Sequence, residues 1–409
     1  MPSAGKQVHG SCAQRVLYIT YDGILEPIAY SQVVQYLKNL APGRRIFLVS
    51  FEKPAEWADV NRRRRMQAEL AEAGIKWVAL RYHRAPSIPA TAYDLFRGML
   101  VTSYLVLRHR IAIVHARSYV PSVLALALKR ALRTRFIFDM RGFWADERVE
   151  GGLWQRDSAA YRIAKWFERH FLLAADSVIS LTATGIGEMK RFDYLKNRRV
   201  DFRLISTCAD LERFRPSNER RARGFTLGYA GAAGLWYMMD PAAECFRLLL
   251  GMRSDARILI LNRGEHEAIR ECLRRHGVAD DRVGLMAVDA PEMPRFITRM
   301  DAAVFFIKPV FSKKASAPTK LGELLAAGIP CLTNTGVGDI DQILAREQVG
   351  ISVERLDTDS LRIGVERLLD LAKTPGIQRR CRAAAARNFS LDSGVRAYSL
   401  VYDSLSGGS

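Results

Sequence analysis

Lys320 and Glu323 are three residues apart in this 409-residue chain and bracketed by Pro318 and Gly328, a pairing and spacing suited to chemistry on a charged ligand. The segment Pro318-Thr-Lys-Leu-Gly-Glu-Leu-Leu-Ala-Ala-Gly-Ile-Pro330 opens with a proline fit for a first helical turn and stops at Gly328, which predicts one short helix from Pro318 to Ala327. On such a helix Leu321, Leu324 and Leu325 share one face, while Lys320 and Glu323 lie about 60° apart on the other. The first amides have no intrahelical acceptor and carry the positive end of the helix dipole, to which Lys320 adds a full charge. An anion, a diphosphate above all, is at home there, with Ser316 and Thr319 at the helix entrance. The plain alternative is a surface helix whose Lys and Glu are merely solvated.

The elements around this pair follow from the apolar pattern. Ala302 to Ile307 is an unbroken apolar run too short for a buried helix and reads as a strand covered on both faces. Similar runs near 15–21, 46–50, 76–80, 111–115, 136–140 and 177–181 alternate with helical stretches such as Ser31 to Leu40. A second series, near 226–230, 257–261, 283–288, 302–307 and 329–333, begins after the polar stretch Arg215-Pro-Ser-Asn218, a natural linker. Alternating β and α over such lengths predicts an α/β fold of two Rossmann-like, doubly wound parallel sheets, with ligands bound in a cleft at the carboxyl ends of the strands. The expected domains are 12–210, 217–390 and a carboxyl-terminal amphipathic helix, 391–409, crossing back to the first.

The formal charge is +19, and the first 215 residues, with 35 Lys+Arg against 20 Asp+Glu, carry +15 of it. Such a field attracts phosphorylated ligands, anionic lipid or nucleic acid, and no recognised nucleic-acid module accompanies it. Arg62 to Arg65 points all round a helix and reads as a solvated face. Thr91 to Arg110 and Ala159 to Leu173 place apolar and basic residues on adjoining faces, as an interfacial helix needs, although helices that cover a sheet share this periodicity. No run reaches the roughly 18 apolar residues of a membrane span, and Met1 to Gln14 lacks a signal peptide's apolar core, so a cytoplasmic protein, peripheral on the membrane's inner face at most, is expected. Six dispersed cysteines suggest neither a zinc site nor a disulfide framework. Asp339-Ile-Asp341, which mimics a metal-binding Asp-x-Asp, follows a glycine-rich turn and is expected to cap a helix instead.

Four separated stretches, Tyr21-Asp-Gly-Ile-Leu-Glu-Pro27, Thr207-Cys-Ala-Asp-Leu-Glu-Arg-Phe-Arg-Pro216, Ala317 to Pro330 and Gly336-Val-Gly-Asp339, together resemble the retaining GT-B glycosyltransferases of family 4. Phe138-Asp-Met-Arg-Gly-Phe-Trp-Ala-Asp-Glu147 is similar to the subset associated with bacterial surface polysaccharides. The resemblance implies that Glu323 binds the ribose of a sugar nucleotide and Lys320 faces its diphosphate. Gly231, Arg263, Ser316, Thr319 and Gly23 complete the donor contacts. Asp22, Glu26, Arg117 and Trp144 are the acceptor candidates, and His115 is structural or cleft-lining. Three positions depart from the family pattern. Ala315 stands where a second glutamate usually contacts the donor sugar, leaving Ser312, Lys313 or Ser316 as substitutes. Gly231 to Tyr237 lacks the usual Arg and Lys, and Arg141 replaces a common His. Arginine cannot act as a base but can stabilise anionic oxygens, which makes Arg141 a catalytic candidate beside Lys320.

The implied reaction moves a sugar from a UDP- or GDP-sugar to an acceptor hydroxyl with retention, needing no cofactor or metal. A lipid-linked or glycan acceptor is the expected partner on the amino-terminal half, whose charge suggests a lipid-linked phosphate or an anionic membrane surface. A non-catalytic sugar-nucleotide-binding subunit and a non-hydrolysing nucleotide-sugar epimerase are the rival readings.

Overall fold

A computed structural model describes residues 13–26, 29–85, 87–216, 224–289 and 291–406. The amino-terminal stretch through Cys12, Pro27 of the first motif, and Ser217-Asn218 of the expected linker lie outside the described residues.

The apolar runs become parallel strands. β1 (Gln14–Thr20), β2 (Arg44–Glu52), β3 (Lys76–Arg81), β4 (Ile113–Arg117), β5 (Arg135–Asp139), β6 (Ser177–Ser180) and β7 (Phe202–Leu204) form one sheet in the order β3-β2-β1-β4-β5-β6-β7. β8 (Phe225–Ala230), β9 (Ala256–Leu261), β10 (Val283–Met286), β11 (Ala302–Val304), β12 (Cys331–Asn334) and β13 (Gly350–Val353) form the other, in the order β10-β9-β8-β11-β12-β13. Val16, Leu17 and Ile19 of β1 and Ile46 to Val49 of β2 are all buried, so both faces of these strands are covered by helices. In each sheet the strand order reverses beside its first strand, at β1/β4 and at β8/β11, which opens a crevice where the following loops diverge. The chain divides into two compact units, Met1–Ile137 with Ser399–Ser409, and Phe138–Tyr398.

Three local readings change. The run Ala302 to Ile307 is strand only through β11, because beyond Phe305, whose N–H still reaches Leu332 O at 3.1 Å, its backbone bonds to Met238 and to a side chain of β12. Met238 N–H donates to Phe306 O at 2.9 Å, and the Asn334 side chain both accepts from Ile307 N (2.9 Å) and donates to Ile307 O (2.8 Å). The stretch expected as one helix from Ser31 is a π turn, Tyr30–Val34, followed by an α-helix, Gln35–Leu40. β7 and β13 were not anticipated; both are short and only partly buried.

The helix carrying Lys320 and Glu323 runs from Thr319 to Ala326. Its apolar face, Leu321, Leu324 and Leu325, is buried, and Gly322 lets Phe389 approach: a Cβ there would sit 3.1 Å from both Cβ and Cγ of Phe389. Gly328, at φ +80°, ends it, with Gly328 N–H on Leu325 O (3.0 Å) and Ile329 N–H on Leu324 O (2.9 Å), the double bond of a Schellman turn.

Candidate active site

The chain leaves β8 and turns at Gly231, whose φ of +115° strains any L side chain. Its N–H donates to Leu261 O (2.8 Å) and its carbonyl accepts from Asn262 Nδ2 (3.0 Å), so its backbone is already committed. What the glycine contributes is room: a Cβ would stand 2.7 Å from Lys320 Nζ. That ammonium sits in an aromatic box, 3.9 Å from the ring centroid of Tyr237, 4.8 Å from Tyr229 and 5.7 Å from Phe305. It is buried and has no hydrogen-bond partner among the described residues. Ring faces stabilise a cation without accepting its protons, so three donors are left for an anion. Burial drives the Lys320 pKa down to about 7, against the opposing pull of Glu323 and Glu265. Burial likewise pushes Glu323 up to about 7, with Lys320 and Arg213 drawing it back.

Asn262 and Glu265, which sequence reasoning missed, hold this turn in place. Asn262 Oδ1 accepts from the N–H groups of Gly264 (3.0 Å) and Glu265 (2.7 Å), and the Glu265 carboxylate accepts from Ala233 N and Asn262 Nδ2, both at 2.8 Å. Arg263, between them, pairs instead with exposed Asp289 at 2.9 Å. An Asn-x-x-Glu directly after a strand was the available signal.

The loop after β11 meets the Trp144–Glu150 helix. Lys313 Nζ donates to Glu147 Oε1 (2.7 Å) and lies 3.8 Å from the ring centroid of Trp236, so this buried cation is already paired. Ser312 N–H donates to Glu150 Oε2 at 3.0 Å, while its buried hydroxyl has no hydrogen-bond partner among the described residues. Ala315 is buried, and a Cβ added at Gly185 would come within 2.9 Å of its own. Ser316, half-buried, donates its N–H to Lys313 O (3.1 Å), and Thr319 is half-buried in the first helical turn. Asp339 does cap a helix, although not the one it precedes: its carboxylate accepts from Ala183 N (2.6 Å), Thr184 N (2.9 Å) and Thr184 Oγ1 (2.7 Å), closing the start of the Ala183–Lys190 helix.

Arg141 follows β5 in left-handed backbone, φ +61°, with Nη1 3.9 Å from Asp139 Oδ1, and Tyr398 Oη donates to the other oxygen of that buried carboxylate at 3.0 Å. Trp144 packs edge-on against Trp154, ring centroids 5.1 Å apart, with Arg148 over it.

In the unit Met1–Ile137 with Ser399–Ser409, Gly23 lies against Glu52: a Cβ would be 2.7 Å from Glu52 Oε2. This buried carboxylate accepts from Ile24 N (3.0 Å), Leu25 N (3.3 Å) and Ser50 Oγ (2.6 Å), so it clamps the loop after β1; burial, only partly offset by those bonds, raises its pKa. Asp22 Oδ2 stands 3.8 Å from Arg117 Nε, and Glu26 pairs with Lys53 at 2.5 Å. Arg117 is buried at the end of β4, with Nε and Nη1 lacking hydrogen-bond partners among the described residues. His115 Nδ1 meets Tyr402 Oη at 2.8 Å.

The structure thus joins Lys320, Glu323 and Gly231 in one site and sets Asp22 beside Arg117, while Arg263 and Glu26 turn to other partners. The cysteine spacing also hid one cluster: Asp240, Cys272 and His276 place ligand atoms within 4.8 Å of one another, although Arg275 and His276 already bond Asp240, at 3.1 and 3.2 Å.

Residues 41–203 match the family model described as a glycosyl transferase 4-like domain. The structure is similar to sucrose-phosphate synthase from Thermosynechococcus elongatus (TM-score 0.70, 14% identity, covering 97% of this chain and 100% of that one). It is also similar to Anabaena HepE in complex with UDP and glucose (0.65, 13%, 96% and 100%), and to WaaG, a glycosyltransferase involved in lipopolysaccharide biosynthesis (0.63, 13%, 96% and 100%). No curated protein matches this chain in sequence. At such identities the likeness shows the fold, and that fold is GT-B, as the motifs implied.

Proposed function

We propose that this protein is a glycosyltransferase that moves a sugar from a nucleotide-sugar donor to an acceptor hydroxyl with retention of anomeric configuration. The observation that carries the reading is the ammonium of Lys320, buried among three aromatic rings with no acceptor of its own, one helical turn from Glu323. Negative charge grows on a departing diphosphate in the transition state, and a cation already stripped of water stabilises it without reorganisation. Glu323, as a carboxylate, accepts two hydroxyl hydrogen bonds from a ribose. The match to a glycosyl transferase 4-like domain and the GT-B fold support sugar transfer, and the structures of HepE with UDP and with UDP-glucose support a nucleotide-sugar partner.

In this reading 217–390 is the donor half and 12–210 the acceptor half, with Asp22, Glu26, Arg117 and Trp144 assigned to the acceptor and Arg141 to the anionic oxygens. The acceptor is a lipid-linked or glycan hydroxyl of the surface-polysaccharide type, and no metal is required because Lys320 and the helix amides supply the positive charge. One observation favours a non-catalytic sugar-nucleotide-binding subunit: Ala315 offers no carboxylate and its side chain packs towards Gly185. Mass spectrometry of products from UDP- and GDP-sugars mixed with membrane lipid extract separates the two. A mass increment of one sugar, formed about 100-fold more slowly by Lys320→Ala, supports transfer; donor binding without any product from any pair supports the subunit.

A further inference from the structure

The helix Ser87–His109 answers a choice that its sequence leaves open, since one face packs inward and the other is apolar as well. Inward, Gly98 admits Leu124 and Phe51, whose atoms would lie 2.9 and 3.0 Å from a Cβ there, and Thr102, Leu105 and Val106 are buried. Outward stand Tyr93, Phe96, Leu100, Tyr104 and Leu107, between 51% and 63% exposed. At helical spacing these five fall within an arc of about 80° and along about 21 Å of helix, a continuous apolar stripe facing water. Isolated exposed apolar residues need no explanation, but a stripe of this kind marks an interaction surface.

The charge around it selects the occupant. The one acidic residue of the helix, Asp94, is buried and accepts from Tyr21 Oη (3.0 Å) and His83 N (2.9 Å), so it shows no charge on the outer face. Arg97 lies over Tyr93 beside the stripe, and the charges of Lys76, Arg108, Arg45 and Arg15 converge on His109 at its carboxyl end. Residues 1–137 and 399–409 together hold 21 Lys+Arg against 9 Asp+Glu, a net +12. A second copy would oppose this charge with the same sign, whereas an anionic bilayer complements it and takes up aromatic side chains at headgroup level. No helix among the described residues is long and apolar enough to cross a membrane, so the helix would lie in the interface plane.

We infer that the outer face of Ser87–His109 docks this protein on the surface of an anionic phospholipid bilayer, through Phe96, Leu100 and Tyr104 with Arg97 and Arg108 at their side.

The test uses the full chain without any sugar donor, so its outcome is separate from that of the transfer assay. Co-sedimentation with phosphatidylcholine vesicles containing about a third phosphatidylglycerol should exceed that with pure phosphatidylcholine by about tenfold or more and weaken with added salt. The double substitution Phe96→Ser, Leu100→Ser should lower binding by about tenfold with the circular dichroism spectrum unchanged. In a separate Phe96→Trp protein, tryptophan emission should shift to the blue beyond the response of the unsubstituted chain, on anionic vesicles only. Equal partition to both vesicles, no added blue shift, or a concentration-dependent dimer abolished by the same serine substitutions would overturn the proposal.

Discussion

Lys320 Nζ stands 3.9 Å from the ring centroid of Tyr237 and 2.7 Å from where a Cβ on Gly231 would be, so one missing methyl group decides where the ammonium can rest. Gly231→Ala would strain the backbone at φ +115° and push Lys320 from its box. Donor affinity in this variant should fall by about tenfold or more with the thermal midpoint lowered by a few degrees, as displaced charge and left-handed strain require. Isothermal titration with UDP, GDP and their sugars checks it. Wild-type affinity would show that the box is not the diphosphate site.

Lys320→Ala should lower kcat about 100-fold, the loss of about 2.7 kcal/mol of transition-state stabilisation. Glu323→Ala should act mainly on donor KM. Steady-state kinetics on both variants gives the split, and unchanged constants in both would remove the assignment.

The pH behaviour has a sign that follows from burial. Lys320 falls from 10.5 to about 7 on folding, so across that interval the unfolded chain holds the extra proton and stability rises with pH. Glu323 rises from 4.5 to about 7, so across that interval the folded chain holds the extra proton and stability falls as pH rises. The pair therefore contributes least to stability near pH 7. A bound diphosphate favours the charged lysine, so at pH 8 donor binding should take up close to one proton, read as a dependence of the titration enthalpy on buffer ionisation. Lys320→Met should abolish the uptake, and a wild-type protein without uptake would contradict the shifted lysine.

Glu52→Ala leaves the amides of Ile24 and Leu25 without their acceptor in a buried loop. Stability to urea should fall by about 2–4 kcal/mol, the cost of two unsatisfied buried donors, and any activity should fall with it. Glu52→Gln, which keeps one acceptor oxygen where Ile24 N and Leu25 N use one each, should recover only part of the loss.

Transfer should persist in excess EDTA, because the charge on the leaving group is assigned to Lys320 and helix amides. Activity lost to chelation and restored by Mg²⁺ or Mn²⁺ would show a metal dependence that this assignment omits.

The strands were legible where apolar runs such as Val16 to Ile19 are buried on both faces, and the Lys320 helix was legible because Pro318 and Gly328 bracket it. β7 and β13 were not, since short strands with partly buried residues leave no unbroken apolar run. The carboxylates that shape the loops, Glu52 and Asp94, leave no mark in the sequence because their partners lie up to 73 positions away. Tyr229 and Tyr237 read as a strand residue and a loop residue; only the folded turn at Gly231 brings both rings to one ammonium. Asp339 was recognised as a cap, but which helix it caps is settled by a contact 155 residues away in sequence.

The close approach of Ala315 to Gly185 bears on what this site can become. A residue larger than glycine at 185 would be held out by Ala315, whose Cβ and Cα would lie 2.9 and 3.1 Å from the new Cβ, and by Thr182 Oγ1 at 2.9 Å. Position 185 is thus closed from two sides at once, and trimming one neighbour does not open it. Any engineered change there has to begin with its neighbours, so the order of substitutions, and not only their identity, limits which forms can be reached.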